Sequence, residues 1–412
     1  MHILLIHQFF LEDSDGGGSR WNEMSRIWVQ EGHKVTVIAG TAHYMDSGHG
    51  GNGKKYITQK FNCNQVEVIR CRVSGNYNSG FAGRLLGYFS FTFSGVWAGI
   101  FQARDKYDLI LVTSPPLFVG ITAVVLSRLK RIPFVFEIRD LWPESAVDTG
   151  VLTNKFLIWL AFRFEKYLLK KATAISVLTP AFRNALIHLK NVDPEKIICI
   201  PNAADFSISA EVAGDFDRDA FRREQGFENK FVIVYVGAHG VANHLEQIIE
   251  TAEILKDTNA YFLLIGDGMQ KKALMHEAQK RCLENVRFMD TVPKIEVFRY
   301  ILASEIGMSV LKKADTFKTV YSNKTFDYFS CRKPVLMAID GISRELVEKA
   351  NAGVFVEPEN AEDFAEKIRK YMNNPELIRE QGNYGYNFAK KHFDRHVLAL
   401  KYLKYLEDTV CR

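Results

Sequence analysis

The sequence predicts an α/β protein of two units, each a parallel sheet covered by helices. Three observations carry that expectation. The 412 residues suit two domains at the usual size of roughly 100–200 residues each. Short runs rich in Val and Ile, apolar on both faces, alternate with longer periodic segments, as strands buried between helix layers require. The alternation breaks at residues 201–216, which begin Pro201-Asn202-Ala203-Ala204-Asp205, and then starts again.

Strands are expected at residues 2–10, 34–39, 66–73, 108–113, 134–138, 174–178 and 197–200 of the first unit. The second unit repeats the pattern at 231–237, 261–266, 286–289, 306–311, 334–339 and 354–356. A loop at 11–18 and a helix at 20–31 follow the first strand, and residues 392–409 read as a closing helix. The expected domains are therefore 1–205 and 206–390, with a terminal helix at 391–412. Ligands of such sheets gather outside the carboxyl ends of the strands, so the loops there, facing a cleft between the units, are where chemistry is expected.

Composition narrows the partners. At 47% hydrophobic and 25% charged the chain is an ordinary globular protein. Six scattered cysteines without metal-ligand spacing read as reduced cytosolic thiols, so no metal cofactor is expected. Charged residues from Glu12 onward leave no signal peptide, and a cytoplasmic location follows. The net charge of +5 is uneven: residues 1–205 hold 23 Lys and Arg against 17 Asp and Glu, and the remainder 30 against 31. That excess reads either as attraction to a phosphate-bearing or membrane-surface partner or as ordinary scatter; no nucleic acid is expected. Residues 85–101 form 17 positions without a charge, and residues 155–171 alternate aromatics with a basic face. Both read as core helices or as segments in shallow contact with a membrane.

The densest chemistry lies at residues 321–339, Tyr-Ser-Asn-Lys-Thr-Phe-Asp followed by an apolar strand. Lys324 and Asp327 are three apart and share a helix face. With Ser322 or Asn323 as cap, the first helical turn offers N–H groups, a positive dipole end and an ammonium to an anion. Asp327 is then placed to accept from hydroxyls, so the pair suits a nucleotide sugar; a capped surface helix with one ion pair is the plainer reading. Two glycine turns precede it, Gly237-Ala238-His239-Gly240 running on to Asn243, and Gly266-Asp267-Gly268, each after a strand and open to a ligand's close approach. In the first unit, Gly16, Gly17 and Gly18 lead through Ser19 to Arg20, a phosphate loop or a flexible turn. The strand ending in Arg139, Asp140 and Glu144 around Trp142-Pro143 brings three charges to a strand terminus, to touch substrate or to hold the loop.

Over nearly its whole length this order of features resembles the retaining glycosyltransferases of family 4, with the GT-B fold of two Rossmann-like domains facing a cleft. Residues 137–145 and 322–335 resemble its WbuB-like branch, which builds bacterial surface polysaccharides such as O-antigen or capsule. The resemblance implies a nucleotide-sugar donor, usually UDP-linked, and a saccharide acceptor on a polyprenyl diphosphate carrier at the inner membrane, with peripheral membrane contact. It implies a C-terminal helix crossing back onto the N-terminal domain, and metal-independent transfer of a hexosyl or N-acetylhexosaminyl group. Departures stand beside it. The family's Glu-x7-Glu pair falls on Thr319 and Asp327, its diphosphate-binding Arg and Lys fall near Ala238 and Asn243, and its histidine after the fifth strand falls on Arg139. Charge compensation for the leaving diphosphate then rests on Lys324, Arg20 or Arg139. The resulting expectation is donor binding by Gly17, Gly18, Arg20, Gly237, Ala238, Gly240, Asn243, Gly266, Asp267, Gly268, Ser322, Asn323, Lys324 and Asp327, and catalysis by Lys324, Arg139, Asp140 and Glu144. A sugar-nucleotide epimerase or hydrolase of the same fold, or a non-catalytic partner subunit, are the alternatives.

Overall fold

A computed structural model describes residues 1–11, 20–41, 57–61, 65–74, 81–148 and 150–411. They form two compact units, one running to Pro201 and resuming at His396, the other spanning Asn202–Arg395.

In the N-terminal unit the strands are β1 (His2–Ile6), β2 (Lys34–Gly40), β3 (Ile57–Phe61), β4 (Glu67–Cys71), β5 (Leu109–Ser114), β6 (Phe134–Ile138), β7 (Ala174–Val177) and β8 (Ile197–Cys199). They make one sheet in the order β3-β4-β2-β1-β5-β6-β7-β8. Every pairing is parallel except β3 against β4. Strand β3 was not foreseen, because Thr58-Gln59-Lys60 has no apolar run; an edge strand with one neighbour needs none. The first strand stops at Ile6 rather than Phe10, since the chain turns at Gln8 and Phe9.

The C-terminal unit has β9 (Phe231–Val236), β10 (Ala260–Ile265), β11 (Val286–Met289), β12 (Ile306–Val310), β13 (Val335–Ala338) and β14 (Gly353–Phe355), in the order β11-β10-β9-β12-β13-β14. All are parallel. Side chains alternate across a strand, and the core divides accordingly. Val232 and Val234 pack in one apolar cluster, while Phe231, Ile233 and Tyr235 pack in the other on the opposite face. Residues 201–216, read as irregular, include a helix at Phe206–Gly214 capped by the Asp205 carboxylate.

The closing helix expected at residues 392–409 is Arg395–Val410, and a separate helix, Pro375–His392, comes before it. They break where Ala204 and Asp394 pair as an isolated parallel bridge. The closing helix belongs to the N-terminal unit. There the Trp28 indole N–H donates to Ala399 O at 2.9 Å, and Trp21, Trp28 and Tyr402 pack ring to ring.

Candidate functional site

In the C-terminal sheet the winding direction reverses between β9 and β12, so the loops leaving those strands diverge and open a crevice at their carboxyl ends. Residues 237–243 leave β9. The chain leaving β12 is tied to them by Lys312 N–H donating to Ala242 O at 2.8 Å, and it leads on to the helix Asn323–Ser330.

Lys324 stands in the first turn of that helix. Its ammonium lies over the Tyr235 ring, 4.4 Å from the centroid, and a Cβ on Gly237 would come within 3.4 Å of Nζ. Among the described residues no carboxylate stands within the 4.0 Å of an ion pair with it. Burial lowers its pKa to about 8, against the opposing pull of Asp327. A half-buried cation that makes no ion pair is a place for an anion.

The cap of this helix differs from the expectation. Ser322 occupies the N-cap position, yet its side chain makes no cap bond; it is buried and bonds Ser309 Oγ at 3.1 Å. Its own N–H donates to Ser343 Oγ at 3.1 Å. Ser309 Oγ also meets Thr325 Oγ1 at 3.0 Å, and this buried hydroxyl cluster takes the serine from capping duty. Asn323 is exposed and accepts from Asn202 Nδ2. Asp327, one turn on, is partly buried on the same helix.

The two glycine turns lie one on the other. Gly237 N–H donates to Ile265 O and His239 N–H to Asp267 O, each at 2.9 Å. Gly266 has φ +148°, and a Cβ there would lie 1.9 Å from Gly237 O. Glycine at 266 is thus demanded by loop-on-loop packing before any ligand arrives. Asp267 accepts from Gly268 N–H at 2.8 Å, closing its own turn. Ala238 is exposed, with its carbonyl accepting from Tyr235 OH at 2.9 Å. Gly240 opens a short 3-10 turn, Val241–Asn243, and the next helix begins at Glu246.

His239, not singled out from the sequence, sits at the centre. It is fully buried, with Tyr235 and Phe288 each 6.0 Å away by ring centroid, and neither ring nitrogen has a hydrogen-bond partner. Burial, then Lys271, lowers its pKa to about 4, so it is a neutral donor and acceptor. Lys271 itself is engaged, by Gly266 O at 2.8 Å, Met289 O at 2.9 Å and Asp290 at 2.6 Å. A lone histidine between glycines carries no sequence signal for this arrangement. At the position of the family's first acid, Thr319 turns its hydroxyl back to Thr316 O at 2.8 Å.

The charged residues of the N-terminal unit are spent differently. Arg20, expected to meet a phosphate, is buried and pairs with buried Glu137 at 3.1 Å, with Ile200 O and Pro201 O also accepting from it at 2.9 and 2.8 Å. Its charge is neutralised inside the fold, and we withdraw it from the donor set. Beyond β6, Asp140 accepts from Ser145 Oγ at 2.8 Å, and burial raises its pKa. Glu144 pairs with Lys190 at 2.8 Å, and Lys190 also bonds Glu165. These two carboxylates hold the loop, the plainer of the two readings. Arg139 is half-buried beyond the end of β6, and its charge helps lower the pKa of buried His7, after burial itself. Gly17 and Gly18 lie outside the described residues. Among the described residues no group of three His, Cys, Asp or Glu is placed to hold a metal ion, and no helix is long and apolar enough to cross a membrane.

Comparison with known proteins agrees with this layout. The family described as glycosyl transferase 4-like domain matches residues 15–203, and that of glycosyl transferases group 1 matches residues 217–388. WcaI of Escherichia coli (strain K12), named as a colanic acid biosynthesis glycosyl transferase, is 25% identical over 98% of this chain and 99% of its own. HepE of Anabaena, solved in complex with UDP-glucose, superposes with a TM-score of 0.72 at 17% identity, covering 99% of this chain and 100% of its own. WaaG, a glycosyltransferase involved in lipopolysaccharide biosynthesis, gives a TM-score of 0.69 at 17% identity over 98% of this chain and 99% of its own.

Proposed function

We propose, for a chain that belongs to glycosyltransferase family 4 and has the GT-B fold, the transfer of a sugar from a UDP-linked donor to a saccharide carried on polyprenyl diphosphate. Its place is the synthesis of a bacterial surface polysaccharide, in the WbuB-like branch, at the cytoplasmic face of the inner membrane. The observation that carries the donor assignment is the Lys324 ammonium, held against Tyr235 and Gly237 with no ion pair among the described residues. A nucleoside diphosphate supplies the missing counter-charge. His239, with two unsatisfied ring nitrogens, gives it a neutral hydrogen-bond donor, and Asp327 takes the ribose hydroxyls. The choice of UDP draws support from the neighbour solved with UDP-glucose, and the polysaccharide from the name of WcaI.

Transfer is read as retaining. The bond from the anomeric carbon to the phosphate oxygen breaks, the bond to the acceptor oxygen forms on the same face, and the acceptor's proton passes to the leaving phosphate. No side-chain base and no resident metal enters that step. Lys324 stabilises the charge that grows on the diphosphate, the kind of preorganised electrostatic contact whose loss costs most in such reactions.

A thermal-shift series with UDP, GDP, dTDP, CMP and their sugars tests the donor. UDP at 100 times its Kd is expected to stabilise the chain by about 2.7 kcal/mol. Equal stabilisation by all nucleotides, or none by UDP, would sink the assignment. A UDP-sugar left intact in the absence of acceptor separates transfer from epimerisation and hydrolysis.

A further inference from the structure

We propose that the outer face of three helices of the N-terminal unit is a docking surface for an anionic lipid bilayer. The helices are Phe81–Phe101, Val119–Lys130 and Lys155–Lys171. They precede β5, β6 and β7, which step along the sheet in one direction, so right-handed crossovers put all three on one face. They also pack side by side. Phe118 stacks on Phe164 with centroids 6.1 Å apart and meets Phe89 in a tilted contact at 4.5 Å, and an Arg128 N–H reaches Tyr167 OH at 3.4 Å.

The outward side of this layer is apolar where a soluble surface is polar. Helix Lys155–Lys171 buries Ala161, Glu165, Leu168 and Leu169 at helical spacing. The opposite face shows Phe156 at 66% exposure, Trp159 at 56% and Leu160 at 48%. Helix Phe81–Phe101 presents Leu86, Phe93, Trp97 and Ile100 on one stripe, with Phe93 71% and Trp97 55% exposed. Neither helix is a membrane span. Large rings standing out of a folded surface mark a contact the structure does not contain.

The charges name the occupant. Helix Lys155–Lys171 carries five lysine or arginine residues against one acid, Glu165, which is buried and bonded to Lys190. Helix Phe81–Phe101 carries no acid. A second copy meeting this face would set the same patch against itself, cation against cation, with no acid to answer. An anionic bilayer answers the charge with its headgroups and takes the rings at its interface, where Trp and Phe settle and basic residues reach the phosphates. The inference deepens the reading of the acceptor as lipid-borne, and its own footing is this surface.

Flotation of the full chain with phosphatidylcholine vesicles, with and without phosphatidylglycerol, is the test. Binding is expected only with the anionic lipid, and weakening as salt is raised. Phe156→Ser with Trp159→Ser, and separately Lys166→Glu with Lys170→Glu, are expected to weaken partition by about ten-fold or more. Melting temperatures should not move, since all four side chains are exposed. The proposal falls if the unaltered chain ignores anionic vesicles, if folded variants bind as well as it does, or if the chain forms a dimer that Trp159→Ser dissolves. Vesicle binding without transfer to a polyprenyl-diphosphate acceptor would uphold the surface and defeat the acceptor reading.

Discussion

The loop beyond β6 in the N-terminal unit and the loops beyond β9 and β12 in the C-terminal unit look alike in sequence, each a cluster of charged or small polar residues at a strand's end. In the fold they are opposites. Around the first, Arg20 answers Glu137, Lys190 answers Glu144 and Glu165, and Ser145 answers Asp140. In the second, Lys324 and His239 are buried or half-buried without such answers. Charge that is matched inside the protein builds the scaffold; charge left unmatched at a crevice waits for a ligand.

The comparison breaks or sharpens at five places. Arg20→Met leaves Glu137 buried and unpaired, and the expected loss is about 3–5 kcal/mol in chemical denaturation, with UDP affinity of the folded fraction unchanged. A stable Arg20→Met chain that loses UDP would return Arg20 to the donor site. Lys324→Ala is expected to lower turnover roughly 10²-fold or more while the melting temperature holds; unchanged turnover removes Lys324 from the mechanism. Gly266→Ala puts a methyl where Gly237 O stands and adds a strained φ, for a cost of about 1–3 kcal/mol or more and weaker UDP binding together. A loss of stability alone would separate the loop contact from the ligand.

The fourth concerns pH. Lys324 has its pKa lowered to about 8 in the fold, from 10.5. Below about 8 the ammonium is present and UDP affinity is flat; above it each binding event must take up a proton, and affinity falls by at most about ten-fold per pH unit. Without ligand the sign is the reverse: between the two values the unfolded chain binds more protons, so stability from this group rises with pH. Calorimetry in buffers of different ionisation enthalpy reads the proton, and Lys324→Arg should flatten the profile. The smallest effect is expected from Glu144→Gln, which should leave turnover within a factor of about two, as befits a partly exposed pair. A large drop in turnover at an unchanged melting temperature would make the N-terminal acids catalytic after all.

Much of this was legible beforehand, for a physical reason. Strands buried on both faces announce themselves as runs of Val and Ile, the glycine turns stand at the ends of such runs, and Lys324 opens the helix that leads into the run at β13. The pairing of Arg20 with Glu137 spans 117 positions and has no local trace. The exposure of His239, or its lack, depends on Tyr235 and Phe288 closing around it. Ser322 reads as a cap because capping is local chemistry, yet a hydroxyl cluster brought together by β12 and the helix outbids it. The edge strand β3 and the helix Phe206–Gly214 lack strong periodicity, and only their neighbours define them.

The Trp28 indole bonds a carbonyl 371 positions further along the chain, and Tyr402 completes the aromatic cluster around it. During synthesis, then, the first unit to begin is the last that can finish. Residues 202–395 are contiguous and have all their strands before the final helix leaves the ribosome, whereas the N-terminal sheet must wait for that helix with Trp21 and Trp28 uncovered. A nascent chain of this kind needs shelter at its beginning rather than its end, and a truncation that removes Ala399 and Tyr402 opens the core of the N-terminal unit.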